Sequence, residues 1–140
     1  MARPSGPKNR CGGRWTDAKF NSFVKSNLRQ ASRKWAPIND CLKNARLKKG
    51  WYKCAGCSEE VPTTIKEEGS RTRTKNVYVD HIKPVIDPAV GFTTWDECIE
   101  RMFSEEDNLQ VLCKACHDIK TNEEKAIAAE RRSKEKELGK

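Results

Sequence analysis

Two Cys-x-x-Cys pairs, Cys54 with Cys57 and Cys113 with Cys116, constrain this chain more than any other feature of it. Each pair is a tight turn that offers two thiolates to one ion, and two such turns make a tetrahedral zinc shell. Zinc needs the pairs to meet in space, so the long stretch between them must fold back on itself. The chain needs such a staple. Its mean hydropathy is -0.87 and 34% of its residues are charged, so apolar burial alone is a thin source of stability for 140 residues. There are seven cysteines, an odd number, and the first residues, MARPSGPKNR, carry no apolar leader segment, which argues against a secreted disulfide scaffold. The thiols read as reduced and free for metal. No apolar run approaches the length of a membrane span, and the expected location is the cytoplasm.

The charge is divided unevenly. Residues 1 to 53 hold fourteen Lys/Arg against two Asp/Glu, a net of +12, and residues 54 to 140 hold fourteen against eighteen, a net of -4. This reads as a basic, mainly helical region over 1 to 50 that grips a polyanion, joined to a second domain over 51 to 140. Residues 1 to 14 read as a flexible basic arm. Thr16 is placed to cap a helix running to Ser32, with Phe20, Phe23, Val24, Leu28 and Ala31 on its apolar stripe. Pro37 suits the first turn of a second helix carrying Ile38, Cys41, Leu42 and Ala45, which Gly50 ends. Lys25, Arg29, Arg33, Lys34, Lys43 and Arg46 are the expected phosphate contacts. Cys41, Cys98 and Cys11 read as packing residues.

In the second half, VYVDHIKPV alternates as a strand that stops near Pro84, Thr94 and Glu97 pair as a capping box before a short helix, and DNLQVLC is a turn into another strand. From Lys114 a helical pattern runs to the end, with Thr121 a possible restart. The chain has only two histidines, His81 and His117. His117 follows Cys116 directly, so one reading has it complete the metal shell with three cysteines. The other reading closes the shell with four thiolates and frees His117. Asp80 and His81 are neighbours on a predicted strand and point to opposite faces, so one can hold a cation while the other takes a proton. Lys120 and Arg73 read as solvated charges or phosphate contacts.

VDHIKP, DNLQVLC and CKACHDIKT, in this order and framed by the cysteine pairs, resemble the His-Asn-His (HNH) endonucleases of the ββα-metal family, in the variant with two CxxC zinc knuckles. The resemblance covers residues 51 to 122. WTDAKFNSFVKSNLRQASRKW is similar to the basic region of small phage-encoded members, for which the host cytoplasm is the implied location. The implied fold is α+β, a zinc-stapled ββα-metal core preceded by a basic helical region. The implied roles are His81 as general base, Asp80 and His117 as ligands of a catalytic Mg²⁺ or Mn²⁺, Asn108 as the residue that fixes the loop and orients the base, and Cys54, Cys57, Cys113 and Cys116 as the structural zinc site. DNA is the implied substrate and partner, cut by nicking or across both strands. Two rival readings stay open: a zinc-stabilised DNA-binding module without catalysis, and a zinc-knuckle interaction protein.

Overall fold

A computed structural model describes residues 6 to 139 of the chain. The packing falls into two units, with the division between Lys34 and Trp35. It lies ahead of the charge boundary because the helix that follows Trp35 packs with the strands of the second half.

The first unit is built around one helix, α1 (Asp17–Ser32), which Thr16 caps by accepting a hydrogen bond from the Lys19 N–H at 3.2 Å. Residues 10 to 15 form a turn, closed by paired backbone bonds of 3.0 Å between Arg10 and Trp15. The turn runs through three left-handed residues, Cys11, Gly12 and Gly13, two of which pay no Cβ penalty there. Its presence corrects the expectation of a flexible arm for these residues; positions 1 to 5 lie outside the described residues. Arg10 lies over the Phe20 ring at 4.3 Å and pairs with Asp17, while Trp15 packs on Phe23. Phe23 is 51% exposed and Cys11 is exposed, so neither is the core residue that its type implies.

The second unit is α+β. In α2 (Ala36–Ala45), Pro37 sits in the first turn and Ile38, Cys41, Leu42 and Ala45 face the core. The helix stops at Ala45, where Arg46 turns extended. Arg46–Lys48 and Trp51–Lys53 then form the hairpin strands β1 and β2, with Gly50 at φ 81° in their turn. Gly50 thus turns a hairpin instead of ending a helix. β3 (Glu60–Pro62) pairs with β2, and β4 (Thr64–Ile65) with β5 (Thr74–Lys75). Arg73 joins this last pair by bonding the Thr64 hydroxyl and carbonyl at 2.7 and 2.8 Å, so it braces a loop.

The pair that positions the site is β6 (Val77–His81) with β7 (Leu109–Cys113), antiparallel from Val77 opposite Cys113 to His81 opposite Leu109. Between them lie α3 (Trp95–Met102), capped by Thr94, and a 3-10 turn at Glu106–Asn108. α4 (Lys114–Glu137) follows β7 directly and passes through Thr121 without a break. No side chain of its own caps it. The buried Asn76 stands in, accepting from the Lys114 N–H at 3.2 Å while donating to the Pro62 carbonyl. Ten apolar residues are buried among those described, and two of them, Cys54 and Cys113, belong to the sulfur cluster. The remaining core is small for a unit of this length. No described helix is long and apolar enough to cross a membrane.

Candidate functional site

The four sulfurs of Cys54, Cys57, Cys113 and Cys116 lie within 4.8 Å of one another. Zn–S bonds of ~2.3 Å span a tetrahedron with edges of about 3.8 Å, so this all-thiol donor set fits zinc. Local backbone geometry creates it. Cys54 directly follows β2, and the turn that starts there closes through the Ser58 N–H to the Cys54 carbonyl at 2.9 Å, with Ser58 left-handed. The Ala55 N–H reaches the Val111 carbonyl at 2.8 Å and the Cys113 N–H reaches Cys54 Sγ at 3.2 Å, which ties the first turn to β7. Cys116 then arrives on the first turn of α4. Burial works to raise the Cys54 pKa, yet backbone N–H groups of Cys57, Cys113 and Gly56 bring it down to about 6, while burial and the neighbouring thiols push Cys116 up to about 12. The sulfurs assemble without His117.

Gly56 is the residue that lets the two turns approach. A Cβ there would stand 3.0 Å from both Cβ and Sγ of Cys116 and 3.2 Å from Leu112 Cδ2. Gly56→Ala is therefore expected to weaken metal retention and to destabilise the second unit by about 1–3 kcal/mol, the usual cost of overpacking. Zinc content after dialysis and a melting curve measure it; full retention with an unchanged midpoint would contradict the close approach.

Beside the cluster, β6 presents alternate residues to two sides. Tyr78 and Asp80 meet α4. The His117 ring stacks on Tyr78 with centroids 4.5 Å apart and planes 12° from parallel, and its Nδ1 is 4.0 Å from Asp118 Oδ1. Asp80 Oδ2 accepts from Gln110 Nε2 at 3.0 Å and from Lys120 Nζ at 2.6 Å. Lys120 Nζ also donates to the His81 carbonyl at 2.6 Å and lies 3.1 Å from Glu124 Oε1. Lys120 is thus a held ammonium and not the solvated charge expected from its setting in the sequence. Burial works to lower its pKa, but Asp80 and Glu124 outweigh that and raise it.

His81 turns to the other side, where its Nε2 is 2.9 Å from the Met102 carbonyl at the end of α3. A carbonyl can only accept, so Nε2 carries a proton, which makes Nδ1 the lone-pair atom whenever the ring is neutral. Asn108 holds the segment just after His81: its Oδ1 accepts from the Lys83 N–H at 2.9 Å, its Nδ2 donates to the Lys83 carbonyl at 3.3 Å, and its own carbonyl accepts from the Ile82 N–H at 2.8 Å. Asn108 fixes the loop, and the Met102 carbonyl orients the imidazole. Asp80, His81 and His117 therefore sit on one strand pair and the helix after it, each with its own partner.

The six basic residues are split between the units. Lys25, Arg29, Arg33 and Lys34 belong to the first, where the last three are exposed; Lys43 in α2 and Arg46 at the start of β1 are exposed on the second. Sequence reasoning missed Gln110, Glu124 and the Met102 carbonyl. Only Glu124 left a trace there, four residues after Lys120 on a helix. Searches of family models, curated proteins and solved structures return no match to this chain.

Proposed function

We propose that this chain is a metal-dependent HNH-type endonuclease that hydrolyses DNA phosphodiester bonds. The observation that carries the reading is His81, whose Nε2–H is fixed on the Met102 carbonyl and leaves Nδ1 as the atom that can accept a proton, one residue along the strand from Asp80, whose carboxylate faces a cation. The strand pair β6 and β7 with α4, and the cysteine cluster at its base, supply the rigid frame such a site needs. In this reading Asp80 and His117 hold a Mg²⁺ or Mn²⁺. The donors suit it: Asp80 Oδ2 already contacts a positive charge at 2.6 Å, and stacking on Tyr78 occupies a face of His117 while leaving the ring edge to a ligand. Such an ion supplies charge stabilisation at the phosphoryl and departing 3′ oxygens. His81 Nδ1 removes the proton of the attacking water, and the fixed Nε2–H keeps the ring from turning away. Asn108 keeps the segment after His81 in place while this occurs.

Supercoiled plasmid tests the reading. Nicked or linear product is expected with wild-type protein in Mg²⁺ or Mn²⁺, and none with EDTA. Intact plasmid under every metal, from protein that binds DNA, would favour the second reading: a zinc-stabilised DNA-binding module. That alternative draws its support from Lys120, which already neutralises Asp80.

DNA is held, in this account, by the exposed cations of the N-terminal region. Removing residues 1 to 34 takes away Arg29, Arg33 and Lys34 and leaves α2 on its core. Log affinity falls against log salt with a slope of about -0.9 per neutralised phosphate, so the truncated protein is expected to bind more weakly and with a shallower slope. A slope and affinity equal to the full chain would place the grip on the second unit.

A further inference from the structure

Three oxygen atoms converge on the Lys120 ammonium: Asp80 Oδ2 and the His81 carbonyl from β6, each at 2.6 Å, and Glu124 Oε1 from α4 at 3.1 Å. Glu124 Oε1 is itself buried, and the Lys120 ammonium is its ion-pair partner. Two carboxylates and a carbonyl around one point form a donor set that hard divalent cations take, with water completing the shell. A cavity of about 480 Å³, bordered by Lys120, Glu124, Ile82 and Asp87, opens beside them. It gives a flexible four-carbon side chain room to leave and a hydrated ion room to enter.

We propose that Asp80, Glu124 and the His81 carbonyl form a divalent-cation site that the Lys120 ammonium fills in the metal-free protein, and that Mg²⁺ or Mn²⁺ enters by displacing it. The role of the ion in catalysis rests on the nuclease reading; the site itself does not. It adds Glu124 and the His81 carbonyl to the ligands and makes Lys120 a tethered competitor. Metal affinity is then set by how firmly the ammonium is held, and the carboxylates never face each other unneutralised.

Two measurements test this without DNA. Acetylation of wild-type protein, read by mass spectrometry, is expected to spare Lys120 relative to Lys134, which is 70% exposed, and to reach Lys120 once saturating Mg²⁺ is added. Mn²⁺ titration followed by electron paramagnetic resonance is expected to show Lys120→Met binding on the order of tenfold tighter or more than wild type, since a positive charge no longer competes. Adding Glu124→Gln to Lys120→Met should reverse that gain. Lys120 labelling that Mg²⁺ leaves unchanged, or Mn²⁺ affinity that Lys120→Met leaves unchanged, overturns the proposal. Should Lys120→Met fail to fold, the wild-type labelling decides. Plasmid left intact by a protein that passes both tests would remove the nuclease reading and keep the site, whereas cleavage in Mg²⁺ with Lys120 still protected would do the reverse.

Discussion

Cys54→Ser is expected to abolish the cooperative unfolding transition of residues 35 to 139. Cys54 is completely buried, directly follows β2, and receives the Cys113 N–H on its sulfur, so it joins the first cysteine turn to the strand pair. A structural zinc couples ~10–16 kcal/mol of binding to folding, which equals or exceeds the whole stability of a typical domain, ~5–15 kcal/mol. With so few buried apolar side chains outside the cluster, little remains to hold the unit when one thiolate is lost. Circular dichroism melting, with zinc measured after desalting, reads the outcome: one zinc per chain and a sharp transition in wild type, neither in the variant. A chelator should reproduce the loss in wild-type protein. Cys98→Ser is the control, since Cys98 is 2% exposed but lies outside the cluster; it is expected to melt lower by about 1–3 kcal/mol of stability and to keep its zinc. A cooperative transition in zinc-free Cys54→Ser protein would show that the apolar core suffices.

What the sequence disclosed follows from range. The Thr16 cap, the Thr94 cap, the alternating strand that ends at His81 and the helix after Cys113 are local patterns, written in residues a few positions apart. The four cysteines were legible across 59 residues because thiolate chemistry has few other uses in such a spacing. Where periodicity and exposure part, local reading failed: Phe23 lies on an apolar stripe yet is half exposed, and Arg46–Lys48 is a strand because it pairs with Trp51–Lys53, not because its residues favour one. The partners of the site were least legible. Met102 acts through its backbone carbonyl, which no side-chain type announces, and Lys120 looks like any helical lysine until Asp80, forty residues earlier, is brought to it.

The rate of DNA cleavage is expected to fall by about 100 to 10,000-fold in His81→Ala, the usual worth of a positioned base. His81 meets Met102 through its ring and supplies only its backbone carbonyl to Lys120, so the alanine variant keeps the groups around Asp80 and is expected to fold, retain zinc and bind DNA as wild type does. Added Mg²⁺ or Mn²⁺ should not restore its rate, because the missing step is proton transfer. His117→Ala differs. Removing a metal ligand should also suppress cleavage, but with a metal dependence displaced to higher concentration that excess Mn²⁺ partly offsets. Loss of the Tyr78 stack adds a modest destabilisation of about 0.5–1.5 kcal/mol, visible in the melt and separable from the metal effect. Both variants should carry one zinc per chain, since the sulfurs assemble without either histidine. A His117→Ala protein that loses zinc and unfolds would make His117 a ligand of the first metal. A His81→Ala protein that cleaves at the wild-type rate would end the assignment of His81 Nδ1 as the base.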